Sequence, residues 1–175
     1  MDDESSGWIS ADSMNFAHHQ YYQMVALGKK AYAMGGIQKK SGSSNLATNT
    51  MEMYDEDTNQ WTYVSSYPHY IYHHCMVADE ETGRIWVLGG RVQTGTYQNE
   101  THDWSEVRYY QVFILSFCIH CIGDTKIQQQ ESTNTWHGTW HLRWHRRHHS
   151  CGIVKLPYND EKRLYVFGGY HGAWR

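Results

Sequence analysis

Five histidines crowd a short stretch late in the chain: His137, His141, His145, His148 and His149, interleaved with Arg143, Arg146 and Arg147. Imidazole and guanidinium groups at this density suit either a transition metal or an acidic ligand. Metal binding needs ligands at fixed spacing, such as a Cys-x-x-Cys pair with a matching second pair. Cys118-Ile-His-Cys121 is one such half with no counterpart, so no metal and no other cofactor is expected. An acidic peptide is the better chemical match, through bidentate arginine contacts and electrostatic steering. His141, Arg143, Arg146 and Arg147 are therefore candidate partner-binding residues, with an ordinary solvated loop as the plainer alternative. The segment from Ser65 to Tyr72 adds Tyr67, Tyr70 and Tyr72 as stacking surface. Arg91 opens a further polar loop that runs to Asp103. No convergent set of acids, bases or nucleophiles stands out, so no catalytic residue is expected.

Composition narrows what could present these side chains. Of the 175 residues, 40% are hydrophobic and 15% aromatic, ample for a globular core. Fifteen Lys and Arg stand against 18 Asp and Glu, a net charge of -3, so the broad basic field that holds nucleic acid is missing. The longest apolar stretch, Val112 to Ile122, is far shorter than the roughly 20 residues that span a bilayer. The acidic start, Met1 to Ser6, does not resemble a secretory signal, and a cytoplasmic location is expected. Asn99-Glu-Thr101 is a glycosylation sequon that matters only in a secreted chain. Four cysteines are too few and too irregular for a disulfide framework, so Cys75 and Cys151 are expected as buried, reduced thiols.

The elements that position the candidate residues recur. Tyr32-Ala-Met-Gly-Gly36, Trp86-Val-Leu-Gly-Gly90 and Tyr165-Val-Phe-Gly-Gly169 are three apolar runs closed by a glycine pair. Each follows a tryptophan at a near-constant interval: Trp8 before Gly35, Trp61 before Gly89, Trp136 before Gly168. His74 and His149 share one repeat position, which argues for a structural role. Continuous apolar runs indicate strands buried on both faces, and the glycine pair indicates positive φ or a close backbone approach. Met51-Glu-Met53 alternates as a half-exposed strand would, so Glu52 is expected to face away from its neighbours. Trp61 and Trp136 are expected on outer strands, packed against an adjoining unit.

In order, His149-Ser-Cys-Gly-Ile-Val154, Arg163-Leu-Tyr-Val-Phe-Gly-Gly169 and a strand tyrosine followed by Asn-x-Trp resemble the kelch repeat. The resemblance implies an all-β fold: an incomplete kelch-type β-propeller with two near-complete blades plus partial flanking strands. After an acidic tail at 1–7, the repeat region runs over 8–175, in units of about 17–64, 70–140 and 145–175. Two and a half blades do not close a ring, so the chain is expected to be a fragment, a member of an oligomeric ring or a defective product. Its open blade faces would favour self-association. The resemblance also implies a protein-interaction module, with the 65–72 and 141–149 loops on the ligand-facing side, and no enzyme. The alternative class is a fragment of a propeller oxidase or sugar epimerase.

One segment breaks the pattern. Residues 113–130 follow no repeat, after which Ser132-Thr-Asn-Thr-Trp136 restores the spacing of Asp57-Thr-Asn-Gln-Trp61. It reads either as a functional loop insertion or, by slight preference, as translated sequence never selected to fold here, such as retained intron. Transcript sequencing across codons 110 to 136 separates the two. A mature message lacking the segment is expected, and its presence there removes the preferred reading.

Overall fold

The computed structural model describes residues 10–16, 20–38, 46–94, 100–112, 135–143, 147–158 and 161–170. Trp8, Arg146 and the 113–130 insertion lie outside the described residues. Every regular element among those described is a β-strand. The first sheet is a four-stranded antiparallel meander of β1 (Gln23–Leu27), β2 (Lys30–Met34), β5 (Thr50–Asp55) and β6 (Gln60–Ser66). Between β2 and β5 the chain forms a small hairpin of β3 (Ile37–Gln38) and β4 (Leu46–Ala47). The second sheet repeats the meander with β8 (Cys75–Asp79), β9 (Arg84–Thr94), β10 (Glu100–Gln111) and β11 (Thr135–His141). Here β9 and β10 run past the glycine pair, and β7 (Tyr70–Tyr72) joins the extension of β9. A third sheet consists of β12 (Arg147–Lys155) and β13 (Lys162–Tyr170). The sheets stand side by side as blades of an open, partial propeller, with β8 packed between β1 and β12 along the inner edge.

The apolar runs form the inner strands for the reason their sequence suggests. Tyr32 and Met34 of β2, Met51 of β5, and Ile85 and Val87 of β9 are buried in one core that spans the first two blades, closed by Tyr67, Ile71 and Tyr110. Burial pushes the Tyr32 hydroxyl up to about 12. In the third blade the corresponding strand has no neighbour on one side among the described residues. Phe167, at the position of fully buried Leu88, is 59% exposed.

Both expected tryptophans lie on outer strands, Trp61 on β6 and Trp136 on β11. Trp136 meets the Tyr67 ring edge-on at 4.8 Å and Tyr110 at 5.1 Å, so it closes the margin of the shared core. Trp61 is only half-buried, and its indole N–H donates to the Asp12 carbonyl at 3.0 Å. Gln111 pairs with Thr135, so the chain leaves and rejoins one β-hairpin on either side of the insertion.

Two expectations need correction. Glu52 does not face outward but is 0% exposed, and its carboxylate accepts the backbone N–H groups of Asn15 at 2.8 Å and Phe16 at 2.7 Å. Alternation fails here because a polar chain segment, rather than water, covers that face. Cys75 and Cys151 are not separate thiols but a disulfide joining β8 to β12. The shared repeat position that suggested two equivalent buried thiols is what brings them together, since equivalent sites on adjacent inner strands face one another.

The first glycine of the pair is required by the blade that follows. A Cβ on Gly35, at φ +66°, would lie 2.6 Å from the Ile71 carbonyl oxygen and 2.8 Å from the His74 ring. Gly168 has nearly the same φ, +64°, yet a Cβ there would meet nothing within 4 Å. Gly168→Ala therefore carries only the backbone cost, about 1 kcal/mol. Gly35→Ala adds a clash with backbone and should cost about 2–4 kcal/mol. Urea midpoints of the two variants check this, and equal losses would refute it.

Candidate functional site

Each blade begins its inner strand with two adjacent rings: Tyr21-Tyr22, His73-His74 and His148-His149. The second ring of the later doublets turns into the seam between blades. His74 is buried against Gly35, and the His149 Nε2 atom lies 3.0 Å from the Leu88 carbonyl oxygen of the preceding blade. This is the structural role that the shared repeat position of His74 and His149 suggested.

The first ring of each doublet does something different. Tyr21, His73 and His148 all adopt positive φ, at 60°, 56° and 52°, a conformation unusual for residues other than glycine. Backbone hydrogen bonds link them from blade to blade, from His73 N–H to the Tyr21 carbonyl at 3.1 Å and from His148 N–H to the His73 carbonyl at 3.2 Å. Their rings gather into a ladder, with centroids 3.9 Å apart for Tyr21 and His73 and 3.6 Å for His73 and His148. Tyr21 and His148 are exposed, and His73 is half-buried between them.

Charge collects beside this ladder. Arg91 Nε lies 3.9 Å and Arg147 Nε 3.5 Å from one buried carboxylate oxygen of Asp103. Arg91 also donates to the Thr101 hydroxyl at 2.9 Å. Burial holds the His73 imidazole down at about 4, and the neighbouring His148, Arg147 and Arg91 act in the same direction. A proton on His73 is thus opposed by a positive local field, the condition that attracts an anion.

The sequence candidates divide on this geometry. Tyr72, Arg91 and Arg147 come together around Thr101 and Asp103, although Tyr72 is buried with Ile37 and Ala47 in a small second core. Tyr67 is 1% exposed and packs in the main core, its hydroxyl 3.5 Å from Glu106. Tyr70 is exposed and pairs with Gln93. His141 lies at the end of the outer strand β11, where Nδ1 is 3.4 Å from the Ser105 hydroxyl, and exposed Arg143 follows it. Arg146 falls outside the described residues. Tyr21 and His73 escaped the sequence reading, and His148 was noted only as part of the His and Arg cluster, although the ring doublets at one repeat position were a usable signal. Among the described residues, no group of three His, Cys, Asp or Glu side chains could hold a metal ion. Nor is any helix there long and apolar enough to cross a membrane.

The depressed His73 value makes stability depend on pH. The unfolded imidazole binds its proton near 6.5, whereas the folded one resists down to about 4. Between these values the unfolded state holds more protons, so stability is full above about 6.5 and falls on acidification toward 4. His73→Gln should flatten that part of the profile. Thermal unfolding from about pH 7.5 to 4.5 tests it, and an unchanged slope in the variant would refute the assignment.

Parts of the chain are similar to known proteins. A family model described as the kelch motif matches residues 20–66, the whole first blade. Kelch-like protein 15 of Mus musculus, Rattus norvegicus and Danio rerio is in each case 31% identical over 113 residues. That match covers 58% of this chain and 18% of each relative, so the chain spans less than a fifth of their length. The solved structure of YjhT aligns with 75% of this chain and 41% of its own, at 14% identity and a TM-score of 0.48. The chain thus carries a kelch motif over its first blade, and the Gly-Gly strand and inner-edge doublet of that blade recur in the next two, which fold with it as blades of an open, partial β-propeller.

Proposed function

We propose that the chain is a protein-interaction module, not an enzyme, and that it takes an acidic peptide segment at the Tyr21, His73 and His148 ladder, beside Arg91 and Arg147. The observation that carries this reading is the convergence of the Arg91 and Arg147 guanidinium groups on one Asp103 carboxylate oxygen, at 3.9 and 3.5 Å, beside the ladder. Both guanidinium groups can share an incoming carboxylate with Asp103, and charge-assisted bonds of this kind are the stronger ones. The exposed rings of Tyr21 and His148 add surface for the aliphatic stems of Glu or for an aromatic neighbour. Exposed Tyr70 on β7 widens the same loop end. His141, Arg143 and Arg146 belong to the same proposal as outer contacts for a longer partner. A rigid sheet scaffold that presents loops at one end is the usual setting for such recognition.

Fluorescence anisotropy with a labelled peptide carrying four consecutive acidic residues tests the reading. Binding should saturate, weaken with added salt, and fall by about tenfold in Arg147→Glu and in His73→Ala. A peptide with Gln and Asn in place of the acids should not bind. Equal affinity for the two peptides, or no saturable binding, would sink the proposal.

A further inference from the structure

The disulfide between Cys75 and Cys151 sits next to the ring ladder, not in a remote part of the fold. Cys75 follows His73 by two residues on β8, and Cys151 follows His148 by three on β12. His148 on β12 and His73, just before β8, form the close imidazole pair and the His148 N–H to His73 carbonyl bond. No ladder of backbone hydrogen bonds joins β8 to β12, because they belong to different sheets. The contacts that hold their separation near the ladder include the disulfide, the imidazole pair, that backbone bond, His149 against the Leu88 carbonyl and Arg147 against Asp103.

We propose that Cys75 and Cys151 form a redox-controlled staple that sets the spacing of the His73 and His148 rings, and through them the affinity of the site. The second half of this statement rests on the acidic-peptide reading, whereas the first does not. Access is asymmetric. Cys75 is buried at 5% exposure, whereas Cys151 is only partly buried, so an incoming thiolate reaches the Cys151 sulfur first. A small dithiol attacks there, the S–S bond breaks, and Cys75 leaves as a thiolate that takes up a proton. The second thiol of the reagent then displaces Cys151 and closes its own ring. Two electrons and two protons have moved to the protein, leaving two cysteine thiols and an oxidised dithiol. Without the bond, β8 and β12 stay tied at the turn end by Lys162 to Asp79 and Glu81 but can separate toward His73 and His148, and the ladder loosens on the side of the third blade.

Amide hydrogen exchange on the purified chain, oxidised and after treatment with a dithiol, tests this. The N–H of His148 should exchange roughly tenfold or more faster after reduction, while amides within the first blade, such as that of Ala33, stay as they were. The double variant Cys75→Ser, Cys151→Ser should match the reduced chain and ignore the dithiol. Peptide mapping under non-reducing conditions must recover the linked pair from the oxidised sample. Failure to find the linked peptide, unchanged exchange at His148, or an equal response in the double variant overturns the proposal. The acidic peptide measured in parallel keeps the two readings apart. Weaker binding after reduction supports both, whereas an exchange change with no peptide binding in either state supports the staple and removes the ligand.

Discussion

Successive blades of this chain approach so closely at the glycine pair that backbone stands where a side chain would be. The Ile71 carbonyl oxygen occupies the space of a Gly35 Cβ, and the same carbonyl accepts the N–H of Gly36 at 2.8 Å. Only glycine tolerates both the positive φ and the missing volume. With this approach fixed, the chain entering the second blade is laid alongside the first: Ile71 N–H reaches the Thr48 carbonyl, and Tyr72 is enclosed with Ile37 and Ala47. The ring doublet that follows has little choice of direction. His74 fills the seam above Gly35, and His73, held at positive φ, is left to lie tilted against Tyr21. The next seam repeats this, with His149 on Leu88 and His148 on His73. The candidate site is in this sense a by-product of how blades must pack.

Buried carboxylates complete the fit between blades. A buried carboxylate costs several kcal/mol unless its oxygens are hydrogen-bonded. Glu52 receives two backbone N–H groups from the segment that enters the first blade. Glu106 plays the corresponding part for the segment entering the second, close to the Tyr67 hydroxyl and 3.5 Å from His69. Burial raises the affinity of Glu106 for a proton, but hydrogen bonds from Arg108 and Trp104 outweigh it and hold the carboxyl below its ordinary range. Each carboxylate thus holds the segment that enters its blade, and that segment leads to the blade's ring doublet. The anchors lie at the periphery while the rings lie at the inner edge, so the loops between them are fixed at both ends.

The strands were legible in the sequence because their signals are local. An apolar run ended by two glycines states its own burial and its own φ requirement, and the spacing from tryptophan to glycine made the blades countable. What escaped depends on residues far apart in the chain. Nothing near Met51-Glu-Met53 reveals that Asn15 and Phe16 will cover Glu52, so alternation pointed the carboxylate the wrong way. The pairing of Cys75 with Cys151 requires knowing that equivalent positions on neighbouring inner strands face each other across a seam. Tyr67 and Tyr72 looked like loop tyrosines, yet the close approach at Gly35 and Gly36 turns their loop inward. Arg91 and Arg147 were legible as charged loop residues, but their convergence on Asp103 was not.

The two ends of the arc differ in how their charges are satisfied, and the difference explains why recognition is assigned to one of them. At the turn end, Glu80 accepts the Gly28 N–H and Lys162 bridges Asp79 and Glu81, so acids and bases of adjacent blades close on each other. Those contacts act as stitching. At the loop end, two guanidinium groups meet one carboxylate, and the imidazole beside them stays neutral because of burial and the positive field. A neutral imidazole can donate or accept a hydrogen bond without adding to the charge. In the proposed reading an acidic segment there meets two guanidinium groups that share one carboxylate, and the neutral imidazole N–H can donate to it, whereas at the turn end Lys162 already faces two carboxylates. The same packing rule therefore yields one end where acids and bases of adjacent blades are matched and one where two guanidinium groups meet a single carboxylate, the end proposed for an acidic partner.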